Sequence, residues 1–304
     1  MSEVLSFLMK IDIKADFSGK TVKEVIKKHK ISARLLTRLK TMDDGILVNG
    51  KKKTVRYVLR EGDVLELAID DVEKSEGITP FNAPITLLWE DEWYAAFAKP
   101  ANLPTHPARH HQSDTLAARV AFLWSDRQFV FRALTRLDLD TSGVVIVAKN
   151  QLAANEFSKL LIAREVKKEY TAVCLGKITD DGIVTARISR PDPKSIVRLA
   201  GVEGEEAITE YKVIKSCDTA TLVSVFPITG RTHQIRVHMK YLGSPVLGDT
   251  LYSDASDLIS RQALHASRIT FVHPFTKKTI SVTCPLFDDM KSCIKILFGD
   301  FDNE

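Results

Sequence analysis

The segment Thr135-Arg136-Leu137-Asp138-Leu139-Asp140-Thr141-Ser142-Gly143 crowds two carboxylates, an arginine and three hydroxyls into a turn-rich stretch, just before the apolar run Val144 to Ala148. Loops held by a rigid buried strand are favoured places for catalysis. The carboxylates suit acid, base or nucleophilic work, and the arginine suits an anionic partner. Ser142 has no G-x-S-x-G elbow around it, so a hydrolase serine is not indicated. By spacing alone, the segment also reads as an ordinary polar loop.

A second group is Thr229-Gly230-Arg231-Thr232-His233-Gln234-Ile235-Arg236-Val237-His238. Glycine, then Arg and Thr, would open a helix whose N-terminus favours phosphate or carboxylate. His233 and His238 stand five apart with no Glu between them, which is not the spacing of a helical zinc pair. The bland alternative is a capped helix carrying surface basic residues. Lys168-Glu169-Tyr170 enters a strand, where an aromatic usually serves packing. His106, His110 and His111 lie in the loop from Pro104 to Gln112 without cysteine or carboxylate at ligand spacing, so a polar loop is favoured over a metal site.

The elements around these segments fall into two parts. Across residues 1–70, Thr21 and Glu24 match a capping box ahead of Val22, Val25 and Ile26. Ser32 can cap a second helix that buries Leu35, Leu36 and Leu39. Lys23, Lys27, Lys28, Arg34, Arg38 and Lys40 occupy the other faces. Ile46 to Val48, a turn at Asn49-Gly50, and Val55 to Leu59 then predict a hairpin, and Val64 to Leu67 a further strand. Residues 71–84 are acidic and then contain Gly77, Pro80 and Pro84, as a linker would.

From 85 to 304 the pattern predicts a hairpin at Ile85–Trp89 and Tyr94–Ala98, then a buried strand at Val144–Ala148. A helix follows over Asn150–Ala163 and a strand over Tyr170–Leu175. Strands near 207–216 and 220–228 precede a helix over Thr232–Leu242, with Ile235, Met239 and Leu242 inside. Strands near 268–272 and 279–284 and a terminal helix near 287–298 complete the chain. This strand-rich order favours an α+β fold with a mixed, largely antiparallel sheet.

Composition sets the class. The chain has 304 residues, 44% hydrophobic and 27% charged, enough for about two domains with sizeable cores. No apolar run reaches the ~20 residues of a membrane span, and the N-terminus does not read as a secretory signal. Cys174, Cys217, Cys284 and Cys293 form no close metal-type pair, and three lie in apolar runs, which suits core residues in a reducing cytoplasm. The net charge of +4 is only mildly basic, so its distribution matters more than its sum.

The segments RLDLDTSG, KKEYTAVCLG, TGRTHQIRVHMKYLGSPVLGD, LHA at 264–266 and HP at 273–274 follow one another in the order of RluA-type pseudouridine synthases. The opening ITLLWEDEWYAAFAKPANLPTHP is similar as well, so the resemblance spans roughly 85–287. Residues 12–69 resemble the small RNA-binding domain first described in a ribosomal small-subunit protein. The resemblance implies an isomerase that converts uridine to pseudouridine in RNA, with Asp138 as catalytic carboxylate. It implies that Arg231 pairs with Asp138 and that Tyr170 packs on the target base. Arg136 is implied to contact phosphate and assist nucleotide flipping, with Thr141 of the same segment as a further substrate contact. Thr135 stands where the family usually has His, which bears on loop shape or substrate contact.

Such a reaction needs no redox step or group donor, which agrees with the lack of a G-x-G-x-x-G or P-loop pattern; no cofactor and no metal are expected. It needs an ionised carboxylate, which a neighbouring guanidinium favours. Flipping the base costs roughly a few kcal/mol, offset by phosphate contacts from Arg136 and from Lys23, Lys27, Arg34 and Arg38. Large-subunit ribosomal RNA is the favoured substrate and tRNA the other candidate, for a monomer with no membrane partner. The competing readings are an inactive RNA-binding protein of the same fold, and a metal-dependent nuclease using Asp138, Asp140 and the histidines.

Overall fold

The protein, described by a computed structural model over residues 8–29, 31, 33–69, 75, 77–107, 113–126 and 129–300, is built on two main sheets. The first sheet contains strands β1 (Leu8–Asp12), β2 (Ile46–Val48), β3 (Lys51–Lys52) and β4 (Val64–Ala68) in the order β1-β4-β2-β3. Helices α1 (Val22–Lys28) and α2 (Ala33–Thr41) accompany it. The capping box forms as the sequence predicts: the Thr21 hydroxyl accepts from the Glu24 N–H, and the Glu24 carboxylate accepts from the Thr21 N–H at 2.7 Å. Val22, Val25 and Ile26 are buried. Ser32 and the side chain of Arg34 lie outside the described residues.

The expected strand over Val55–Leu59 does not form. Asn49 and Gly50 both take positive φ, at 51° and 72°, so Val48 pairs directly with Lys51 and the return strand is spent at Lys52. The backbone beyond turns toward α1 instead. The N–H groups of Val22 and Lys23 donate to the carbonyls of Tyr57 and Val55 at 2.9 and 3.0 Å. This stretch therefore satisfies donors that the start of a helix leaves open.

The larger sheet begins with β5 (Thr86–Glu90) and β6 (Tyr94–Lys99), the expected hairpin. Helix α3 (Leu116–Leu123), capped by Thr115, was not legible in the sequence, because its apolar residues run round most of the helix. Then come β7 (Arg132–Ala133), β8 (Ser142–Ala148), α4 (Gln151–Ile162) and β9 (Lys167–Leu175). Next are β10 (Gly182–Thr185) and a small two-stranded sheet of β11 (Arg187–Ser189) with β12 (Leu199–Gly201). β13 (Ile208–Ser216), β14 (Ala220–Pro227), α5 (Gln234–Tyr241), β15 (Leu264–Val272), β16 (Thr279–Thr283) and α6 (Asp288–Phe298) finish the chain.

The ten strands run β10-β13-β14-β9-β15-β8-β6-β5, with β16 on β15 and β7 on β8. Among the described pairs only β8 with β15 is parallel, so the class is α+β with a largely antiparallel sheet, as expected. β8 is buried along its whole length, which fits its unbroken apolar sequence. Gly143 sits in this parallel pair with φ of 122°, and a Cβ there would lie 2.3 Å from the Ala266 carbonyl oxygen. Only glycine allows that approach. Leu242, expected inside, is 38% exposed because it ends α5. Among the described residues no helix is long and apolar enough to cross a membrane.

Candidate active site

Asp138 lies between β7 and β8, on a turn closed by the Thr141 N–H donating to the Asp138 carbonyl at 3.2 Å. Buried side chains from distant segments hold this turn. Lys99, fully buried at the end of β6, donates to the carbonyls of Pro100, Leu103 and Leu139 at 3.0, 2.7 and 2.9 Å. Burial pushes its amine down to about 7. Arg261 donates to the Asp140 carbonyl at 3.1 Å and to the Ser142 hydroxyl at 3.1 Å, and it forks onto Asp289. The Ser142 hydroxyl in turn meets Nδ1 of His265 at 2.8 Å. The Thr135 hydroxyl accepts the Ile146 N–H at 3.1 Å, pinning the segment to β8. Thr135 thus ties the loop to β8, and it also lines the hollow that holds Tyr170.

The Asp138 carboxylate is 29% exposed, and its Oδ2 accepts from Nη1 of Arg236 at 2.9 Å. Arg236 also forks onto the fully buried Asp249, at 2.6 Å through Nε and 2.7 Å through Nη2. Two carboxylates therefore share one guanidinium and raise its pKa against the cost of burial. Among the described residues Oδ1 of Asp138 has no hydrogen-bond partner. One oxygen is fixed and the other is unengaged among the described residues. Nε2 of His233 stands 3.9 Å from Oδ2.

The expected pairing of Arg231 with Asp138 is corrected. Arg231 donates to the Glu206 carbonyl at 3.0 Å and to Glu205 at 3.2 Å, at a half-buried position. His233 takes a left-handed backbone, φ 57°, so α5 starts only at Gln234. Arg231 falls before the helix and turns away, while Arg236 in the first turn faces Asp138. Thr141 is corrected too. It is buried, and its hydroxyl accepts from Gln262 at 3.2 Å, so it braces the turn rather than offering a surface to a nucleotide.

Tyr170 is on β9, and burial, followed by the charge of Asp138, pushes its hydroxyl pKa up. With Thr135, Val144, Lys168, Ala266, Arg268 and Ile269 it lines a small hollow. Burial lowers the Lys168 pKa. Arg136 is exposed and, among the described residues, makes no ion pair or hydrogen bond. Lys23 and Lys27 are exposed on α1, and Arg38 is half-buried on α2. His106 packs edge-on against Phe131; His110 and His111 lie outside the described residues. Asp249, Tyr252, Lys99, Arg261 and Gln262 escaped the sequence reading, because they reach the site only through contacts distant in sequence.

A family profile described as RNA pseudouridylate synthase matches residues 94–241. The chain is 37% identical to the uncharacterized RNA pseudouridine synthase YjbO of Bacillus subtilis, over 90% of this chain and 98% of that protein. The chain belongs to the RNA pseudouridine synthase family. It is also 32% identical to ribosomal large subunit pseudouridine synthase D of Xanthomonas campestris, over 84% of this chain and 81% of that one. The structure of human RNA pseudouridylate synthase domain containing 1 superposes with a TM-score of 0.58 at 24% identity, covering 69% of this chain and 87% of that chain. The fold is therefore shared with human relatives, and this RNA pseudouridine synthase is an isomerase of the RluA type.

Proposed function

We propose that Asp138 is the catalytic carboxylate of this synthase and that its substrate is large-subunit ribosomal RNA, with tRNA as the alternative. The observation that carries the first part is the division of labour at its carboxylate: Arg236 holds Oδ2 at 2.9 Å while Oδ1 stays unengaged. The reaction breaks the bond from ribose C1′ to uracil N1, turns the uracil, and joins C1′ to C5. N1 gains a proton and C5 loses one. Asp138 acts at the ribose, as nucleophile at C1′ or as base toward the hydrogen on the 2′ carbon. Arg236 keeps it oriented through the bond to Oδ2. Tyr170 packs on the uracil and shapes the loss of the C5 proton.

Residues 1–70 are proposed as a separate RNA-binding domain, joined by residues 71–84 to a catalytic domain over 85–304. Lys23, Lys27, Arg34 and Arg38 supply phosphate affinity there, and Arg136 supplies it beside the site. The ribosomal preference rests on the Xanthomonas relative, described as ribosomal large subunit pseudouridine synthase D. A cytoplasmic enzyme fits four cysteines that form no disulfide, and a monomer is proposed with it. The test is to treat unmodified large-subunit rRNA and bulk tRNA with the protein in chelator and map the new pseudouridines. Discrete sites in the rRNA support the reading; sites in tRNA alone overturn its substrate half.

A further inference from the structure

His233 is in the left-handed region at φ 57° and makes no side-chain cap for the helix it begins. A non-glycine residue there carries strain of roughly 1–2 kcal/mol. Strain of this kind gathers where a side chain must be aimed. Here it aims the imidazole between two partners. Nδ1 lies 2.9 Å from the Tyr252 hydroxyl, and Nε2 lies 3.9 Å from Oδ2 of Asp138.

The hydrogen-bond partners favour one tautomer. The Tyr252 oxygen already accepts the Arg198 N–H at 2.9 Å. Its own proton has one acceptor among the described residues, Nδ1 of His233. With Nδ1 accepting, the ring hydrogen of the neutral imidazole sits on Nε2, the nitrogen that faces Asp138. Burial favours this neutral form by lowering the His233 pKa, against the opposing charge of Asp138. The Tyr252 ring also stacks with the Arg236 guanidinium, 5.1 Å from its centroid. One tyrosine therefore steadies both groups that flank Asp138.

We propose that His233, aimed by its left-handed backbone and locked as the Nε2–H tautomer by Tyr252, is a positioning residue that brackets Oδ2 of Asp138 opposite Arg236. A carboxylate held by a single donor can pivot about that bond. The imidazole edge, 3.9 Å from the same oxygen and so beyond hydrogen-bond distance, limits that pivot by contact and by the direction of its Nε2–H dipole, and keeps Oδ1 presented to the ribose. The proposal rests on Asp138 being the catalytic carboxylate.

The test compares His233→Gln with His233→Asn in the full chain, measuring kcat and KM for tritium release from C5-labelled RNA. The Gln amide reaches the Nε2 position, whereas the Asn amide reaches only the Nδ1 position but tolerates the left-handed backbone better. The expected result is a Gln variant within about threefold of wild type and an Asn variant slower by about tenfold or more in kcat, as misplacement of a reacting group costs, with KM unchanged in both. Tyr252→Phe, which frees the tautomer, is expected to lower kcat several-fold without raising KM. An Asn variant as fast as wild type, a folded Gln variant no faster than Asn, or an unaffected Tyr252→Phe would overturn the proposal. Asp138→Asn run alongside separates the two levels. If it stays active, the reading of Asp138 fails. If it is dead while all three variants match wild type, only the role of His233 fails.

Discussion

Replacing Arg236 by lysine, beside the same change at Arg231, asks which arginine serves Asp138. Arg236 makes one charge-assisted hydrogen bond to Asp138 and two to Asp249, from a side chain only 8% exposed. Lysine carries its donors on one nitrogen and cannot fork across two carboxylates. Losing the Asp138 bond removes about 1.5–3 kcal/mol, which is roughly a 10- to 150-fold slower chemical step. Arg231 pairs with Glu205, whose side chain is 71% exposed. Such a pair contributes about 0–1 kcal/mol, so Arg231→Lys changes the rate less than about fivefold. Single-turnover tritium release under saturating enzyme reads the chemical step for both. Arg236→Ala would also strand the buried Asp249 carboxylate and cost about 3–5 kcal/mol of stability, visible in thermal unfolding. A larger loss for Arg231→Lys than for Arg236→Lys would refute the assignment.

Gly143→Ala puts a Cβ 2.3 Å from the Ala266 carbonyl at φ 122°, so it should cost at least about 1–2 kcal/mol; an unchanged Tm would contradict the close approach of β8 to β15. Burial depresses the His265 pKa to about 4, below an unfolded value of about 6.5. The unfolded chain therefore takes up that proton first, and the stability held above pH ~6.5 falls as pH drops toward 4. Tm measured across that window should decline, and the decline should be shallower in His265→Gln; an identical slope would contradict the assignment. Changing Lys23 and Lys27 to Glu should weaken binding of all RNAs alike and reduce the salt slope by about 1 for each phosphate no longer neutralised; unchanged affinity and slope in a filter-binding titration would remove α1 from the RNA interface.

Much of this molecule was legible where local pattern decides the outcome. The capping box at Thr21 and Glu24, the unbroken apolar run of β8 and the period of α4 each carry their own signal. The failures share a cause. Val55–Leu59 has strand composition, but a two-residue turn at Asn49-Gly50 spends the hairpin early and leaves these residues to cap α1. Arg231 and Arg236 are both arginines in one short segment. The left-handed turn at His233, which no composition announces, starts α5 at Gln234 and leaves Arg231 before the helix, with Arg236 in its first turn on Asp138. Thr141 resembles a substrate contact until Gln262, far along the chain, takes its hydroxyl. The Asp249 fork, the Arg261 brace and the Lys99 cage depend likewise on contacts made only by the assembled sheet. A buried arginine amid the apolar residues of α5 was the one local hint, since such a charge needs a partner.

The most direct measurement is tritium release from RNA labelled at C5 of uridine, by wild type and Asp138→Asn, with chelator present and no added cofactor. The amide keeps the shape of the side chain and removes the charge that Arg236 holds. Wild type is expected to release tritium, and Asp138→Asn none above background at matched fold and RNA binding. Release by Asp138→Asn at a comparable rate would contradict the catalytic role of Asp138.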